Sequence, residues 1–551
     1  MKHFKKFFSY LVALTMVLSL AAFTGVKVHA ADGTGYTLTL NNNNGKTDHT
    51  FEVYQIFTGD LSGDTLSNIK WGNGVNTQKE GFSLGDAAEK AEELATSKNQ
   101  DVDAKAFAES LQSYLQNGIE KKVLAGGKDS ITRLAAGYYL VKDKVDDKGK
   151  STQNGKEKGA TTSYILQVVK DTEAKSKLDV PTVEKKVKDT NDSTGVTSDW
   201  QDSADADIND TVEYQITGTM PANIADYTSY KYIFTDTMSP GLTYTASTDT
   251  QKNYKVMLYT SALDTTGTDV TSAFSEDVKE ATSNDEYKGG HKITWSCSDL
   301  KSKDLTKKAT KDSKFVLTYN ATLDKKSAVI GSAGNPNKVD LTYSNNPNKG
   351  GEGETGKTPE DKNIVFTYKL DVNKYKDNKD DVNNKTDEAE FKLYKEIKGT
   401  NDKPDSVNEV NLTKANKVYS AVGLDDGVYI LQETEAPAGY NKMDGSVKVG
   451  STTYENAIKF EISATHDTTS DDPKLTELTG NVTSGNVTSG EATFTPDTSA
   501  GSLTADVVDK KGSVLPSTGG MGTTLLYVAG GILVACAAAY VVMSRKHSTN
   551  K

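Results

Sequence analysis

Lys374, Glu433 and Asp509 are ionisable residues set in lines of large apolar ones, and their chemistry follows from that setting. Residues two apart share a face of a β-strand. Phe366, Tyr368, Leu370, Val372 and Lys374 thus share one face, Tyr429, Leu431 and Glu433 a second, and Leu503, Ala505, Val507 and Asp509 a third. A lysine aligned with four apolar residues points into a core, where an unpaired ammonium is costly. Low dielectric disfavours charge, and an uncharged amine is a nucleophile. Where these groups meet, the chemistry open to them is attack of the Lys374 amine on the Asp509 side-chain carbonyl, with Glu433 polarising that carbonyl and moving protons. One amide forms and one water leaves. The alternative is a buried Lys/Glu/Asp ion-pair cluster in which no bond forms.

Other chemistry has little support. His49, His291 and His466 are far apart in the chain, and Cys297 is the one thiol outside the apolar run that holds Cys536, so no intramolecular disulfide is expected. Without a nucleophile–base pair, a secreted hydrolase is a poor reading. No His/Cys spacing suits zinc and no acidic run follows the calcium-loop pattern, so neither metal nor cofactor is expected. Gly351, Gly356, Lys357 and Thr358 match a phosphate-loop spacing, but an Asn-rich stretch precedes them and Pro359-Glu360-Asp361 follows, where a buried strand and a helix start are needed. The net charge is −12, and no basic patch alternates with aromatics, which argues against nucleic acid.

The elements that must position these groups are strands: short stretches of Thr, Val, Tyr and Ile between Gly, Asn and Asp clusters. The expected fold is all-β, with tandem Ig-like β-sandwiches. Asp86 to Thr96, and Ala104, Phe107, Leu111 and Leu115 after it, carry helical spacing and predict a helical insertion on the first domain. Polar stretches at 172–181 and 345–361 predict linkers, and the repeat at 480–490 (GNVTSGNVTSG) predicts a surface loop. The divisions are 1–30, 31–178, 179–350, 351–514, 515–519, 521–543 and 544–551. Residues 1–30 have the basic start, apolar run and Val28-His29-Ala30 end of a signal peptide. Residues 521–543 carry no charge and precede Arg545, Lys546 and Lys551, the pattern of a membrane helix with a cytoplasmic basic tail.

Leu515, Pro516, Ser517, Thr518 and Gly519, followed by that span and tail, resemble the LPXTG cell-wall sorting signal. The resemblance implies cleavage between Thr518 and Gly519 by a sortase and transfer of the Thr518 carboxyl to an amine. The run YILQETEAPAGY from Tyr429 to Tyr440 resembles the pilin E-box at every fixed position. With YIFTDTMSPGLTY (Tyr232 to Tyr244) and HTFEVYQIFTGDLS in the first domain, it is similar to three-domain backbone pilins of Gram-positive bacteria, whose later domains are collagen-adhesin-like sandwiches.

The resemblance implies an N-terminal pilin domain, a fimbrial isopeptide-forming domain and an E-box domain of the collagen-adhesin B type. It implies an acceptor lysine between the first two domains. Lys177 fits by its distance from Pro181, Ser176 stands where the family has proline, and Lys175 remains an alternative. For the second domain it implies Lys185 as nucleophile and Asp236 as acid, with an asparagine of the last strand as acceptor, Asn337 or Asn345; a one-residue slip would exchange Lys185 with Lys186. The implied partners are pilin-class and housekeeping sortases, identical subunits in a covalent fibre, ancillary pilins, peptidoglycan and host matrix or cell surface. An ancillary or basal pilin, or a monomeric wall-anchored adhesin, is the competing expectation.

Overall fold

The computed structural model describes residues 35–42, 47–97, 100–145, 152, 154–155, 162–175, 180–283, 285–307, 309–310, 312–347, 351, 355–400, 405–484, 492–512 and 521–548. The expected signal peptide, Ser176, Lys177 and the 515–519 motif lie outside these residues. Strands dominate the described chain and build β domains in tandem.

In the first domain the long strand Thr47–Ser62 pairs with Thr65–Trp71 and Gly137–Asp143, and Ser163–Val168 extends that sheet. Tyr36–Asn41 lies between Lys128–Leu134 and Thr172–Lys175 in a second sheet. The helical insertion is present as Ala87–Thr96 and Gln100–Leu111. Asp86 starts the first helix by accepting hydrogen bonds from the Ala88 and Glu89 backbone N–H groups, which have no partner inside the helix. Ala87, Ala91, Leu94, Phe107 and Leu111 then form an apolar stripe buried against Ile56, Phe57 and Leu140.

The second domain is a sandwich. Val183–Val187, Thr211–Thr219, Lys314–Leu323 and Tyr254–Tyr259 make one sheet, and the other runs Ser203–Asp205, Asp361–Phe366, Asn335–Ser344, Tyr232–Met238, His291–Cys297, Ser275–Glu280. Alternate residues of both, among them Tyr214, Leu317, Phe234 and Trp295, fill one core. In the third domain Tyr368–Lys376 lies between Val418–Leu424 and Ser502–Asp509, antiparallel to the first and parallel to the second. The opposing sheet holds Glu390–Ile397, Gly427–Glu435, Ala457–His466 and Leu475–Ser484.

Three expectations drawn from composition are corrected. Thr355–Lys357 pairs with Thr342 to Ser344, and Asp361–Phe366 pairs with Asn335 to Val339, so these strands belong to the second domain and the crossing falls near Thr367, not at 351. The Asn/Gly/Pro run therefore falls between two strands of one sheet, and such residues favour turns as much as spacers. Gly356 is required there, because a Cβ would meet the Tyr343 ring at 2.7 Å. Thr172–Lys175 likewise lies in the first domain's sheet instead of opening a linker. Of the 480–490 repeat, Gly480 to Ser484 continue a strand, paired with Ile462 to Lys459.

Met521–Ser548 forms a helix, and Leu526–Arg545 within it is fully exposed, long enough and apolar enough to cross a membrane.

Candidate functional site

The alternation that aligned Lys374 with apolar residues is realised: Tyr368, Leu370, Val372 and Lys374 are each 0% exposed. The parallel neighbour contributes Leu503, Ala505, Val507 and Asp509, also buried, and its register sets Lys374 beside Val507, two residues from Asp509. Lys374 Nζ hydrogen-bonds Asp509 Oδ1 and lies 2.7 Å from Glu433 Oε1. Glu433 comes from the facing sheet, and its Oε2 accepts the Met443 backbone N–H at 2.6 Å, which fixes the carboxyl in place. The Phe391 ring, whose centroid is 5.6 Å from Nζ, helps close the site to water. Burial pushes the Asp509 carboxyl up to about 7 against the opposing pull of Lys374, so a large share of it is the neutral, electrophilic acid near pH 7.

The second domain brings together Lys185, Asp236 and Asn337, each 0% exposed. The register question is settled by burial: Lys185 points inward, while Lys186 turns out to bond Asp202 at 2.6 Å. Lys185 Nζ hydrogen-bonds Asp236 Oδ2, and both contact the Tyr319 hydroxyl: Nζ at 2.6 Å, and the carboxylate as acceptor at 2.8 Å. Asn337 Nδ2 donates to the same hydroxyl at 2.8 Å. Burial lowers the Lys185 pKa and raises that of Asp236, each opposed by the other's charge, and both shifts favour the neutral amine and the neutral acid. Asn337 pairs with Met238, close to Asp236, whereas Asn345 is eight residues further on, roughly 26 Å along an extended chain. Asn337 is therefore placed at the lysine and Asn345 is not.

Sequence reading missed Tyr319, which joins nucleophile, acid and amide, and Tyr214, whose ring centroid lies 4.9 Å from Lys185 Nζ. The signal was available: Phe315, Leu317, Tyr319, Ala321 and Leu323 alternate inward, and a buried tyrosine hydroxyl in such a row needs a polar partner.

The remaining expected residues are held elsewhere. Lys175 ends the edge strand of the first domain, half-buried and paired with Asn41. His49 is buried and contacts Asp143 at 2.7 Å, and His466 contacts Ser203 Oγ at 2.7 Å. Cys297 is buried in its strand. Lys357, of the phosphate-loop coincidence, lies in a strand with its Nζ 2.9 Å from Asp340.

Residues 373–465, which contain Lys374 and Glu433, match the family model described as SpaA, prealbumin-like fold domain. The match lies within the third domain. Among curated proteins, the trypsin-resistant surface T6 protein of Streptococcus pyogenes serotype M6 is 26% identical over 272 residues, 42% of this chain and 48% of that protein. The chain thus spans about half the length of the curated relative it matches. Among solved structures, the T6 backbone pilin of the same serotype aligns at 18% identity and a TM-score of 0.44, covering 88% of this chain and 100% of that one. The full-length major pilin SpaD of Corynebacterium diphtheriae aligns at 17% identity and a TM-score of 0.42, covering 87% and 98%. The two solved structures are of a backbone pilin and a major pilin. Within the matched residues, Lys374 stands on the entering strand and Glu433 on the strand Gly427–Glu435, with Asp509 supplied from beyond them.

Proposed function

We propose that this chain is the backbone subunit of a pilus on the cell wall of a Gram-positive bacterium, polymerised by sortase from Thr518 of one subunit to Lys177 of the next, with both later domains locked by self-formed amide bonds. The observation that carries the reading is the buried contact of Lys374 with Asp509 beneath Glu433 in a SpaA-type domain. An ion pair so far from solvent gains little over apolar packing, so the lysine needs another reason to be there.

In the third domain Lys374 Nζ attacks Asp509 Cγ. The C–N bond forms, the C–O bond breaks, and Glu433 passes a proton from the amine to the leaving hydroxyl, releasing water. In the second domain Lys185 attacks Asn337 Cγ and ammonia leaves. Asp236 moves the protons, and the Tyr319 hydroxyl holds the amide and the acid together. Each reaction happens once per subunit. The third-domain bond ties the strand by which the chain enters to the parallel strand by which it leaves, so tension applied to the ends bypasses the rest of the sandwich. The T6 relative is a surface protein, which agrees with a wall-anchored fibre.

The test is to incubate the purified chain with a pilin-class sortase and sequence the cross-linked peptides by tandem mass spectrometry. A Thr518–Lys177 peptide is the expected product. A Thr518–Lys175 peptide moves the acceptor to the edge strand, and cleavage after Thr518 with transfer only to a peptidoglycan-type amine supports the monomeric adhesin instead.

A further inference from the structure

The joint between the second and third domains contains more carboxylates than its cations can neutralise. Asp205 closes the second-domain strand Ser203–Asp205, and Asp425 and Asp426 form the turn leading into the E-box strand of the third. The two domains meet here through a backbone bond from Ile208 N–H to Gly423 O. Asp207 Oδ1 also accepts the Asp425 backbone N–H at 2.8 Å. Asp189, Asp192, Asp207 and Asp210 surround the same place.

Lys395 is already committed. Its Nζ lies 2.6 Å from Asp207 Oδ2, 3.0 Å from Asp425 Oδ2 and 3.3 Å from Asp192 Oδ2. His466 contacts Ser203 and, at 3.6 Å, Asp189 Oδ2. Asp426 Oδ1 accepts one hydrogen bond, from Asn191 Nδ2 at 2.5 Å. That leaves Asp205, which is 4% exposed and is met by the Tyr368 hydroxyl and by Asp425 itself, and Asp425 Oδ1, buried and without a hydrogen-bond partner. A buried carboxyl oxygen left without a partner is costly.

One oxygen each from Asp205, Asp425 and Asp426 lies within 4.8 Å of the other two. Ligands on opposite sides of a calcium ion are separated by about 4.6–5.2 Å, twice the bond length of 2.3–2.6 Å, so three oxygens that close can share one ion. We propose that Asp205, Asp425 and Asp426 form a site for a hard divalent cation of the calcium type, which ties the second domain to the third. Division of labour on Asp425 makes room for it: Oδ2 serves Lys395 and Oδ1 serves the cation. The all-oxygen donor set selects against zinc and copper, and the depth of the site favours an ion that sheds its water readily over magnesium. Sequence reading saw no calcium pattern because the ligands come from two domains, and only Asp425 and Asp426 are neighbours in the chain.

The experiment uses the full chain in detergent, stripped with chelator and titrated calorimetrically with CaCl2 and, separately, MgCl2, with thermal unfolding followed in parallel. The expected result is one equivalent of calcium bound with a dissociation constant of roughly 0.1–1 mM, the range of extracellular modules, weaker magnesium binding, and an unfolding temperature that rises with calcium. Asp205→Asn should weaken binding at least about tenfold and make unfolding insensitive to calcium, while raising the stability of the metal-free chain by removing a buried charge. Asp426→Asn, at a less buried position, repeats the binding test if the first variant does not fold. No heat and no shift in unfolding up to about 10 mM CaCl2 would overturn the proposal, and a proton shared between Asp205 and Asp425 would then explain the cluster. Undiminished calcium binding in Asp205→Asn or Asp426→Asn would overturn it too.

Discussion

Replacing Glu433 with glutamine keeps the shape of the third-domain site and removes the group that carries the proton. Lys374 and Asp509 should then remain side by side without bonding. The two residues are 135 apart in sequence, and the chain entropy removed by closing a loop of that length is worth about 5 kcal/mol. For a domain of this size each kcal/mol moves the midpoint by about 3 °C, so the third-domain transition of Glu433→Gln should fall by about 15 °C. Intact mass gives the chemistry directly. Against its own sequence mass, the wild-type chain without its cleaved ends should be light by about 35 Da, one water plus one ammonia, and Glu433→Gln by about 17 Da. Calorimetry on the same samples should show the second-domain transition unmoved. The reasoning is refuted if wild type has its full sequence mass, or if Glu433→Gln lacks the bond yet melts within about 3 °C of wild type.

Three further outcomes follow from the same geometry. Tyr319→Phe deletes the hydroxyl that joins Asn337 to Asp236, and mass spectrometry at intervals after refolding should show ammonia loss slowed by at least about a hundredfold, with water loss unchanged. Lys185→Met should retain its ammonia, whereas Lys186→Met should lose it at the wild-type rate, because only the former side chain enters the core; equal behaviour would mean a slipped register. The Asp509 carboxyl is raised above its unfolded value to about 7, so its neutral form persists through acid and is lost above neutrality. Once the amine is uncharged, water loss after refolding should accordingly slow as pH rises above 7, because the neutral acid is the form consumed; a rate that still climbs steadily to pH 10 would contradict the acid form as electrophile.

The meeting of Lys374, Glu433 and Asp509 was legible in the sequence because each closes a row of alternating apolar residues, a local property, while the bond between them was suggested by the E-box resemblance. Lys185 and Asp236 were legible for the same reason, helped by family resemblance. The choice between Asn337 and Asn345 was not, since both share a strand face and only the pairing with Tyr232–Met238 brings one of them to the lysine. Tyr319 was overlooked because a tyrosine in an apolar row reads as core until its hydroxyl is traced. The misplaced boundary at 351 has a related cause: glycine, asparagine and proline mark a turn within a sheet and a spacer between domains alike, and what separates the two is long-range strand pairing. The carboxylate cluster at Asp205 is wholly a product of domain contact, invisible in any window of sequence.

The central claim is a covalent fibre, and the most direct measurement is a boiled, denaturing gel of enzymatically released cell-wall protein, blotted for this chain in wild type, Lys177→Ala and Lys175→Ala strains. The account predicts a ladder of high-mass bands in wild type and Lys175→Ala that is lost in Lys177→Ala. A single monomer band in wild type would contradict it.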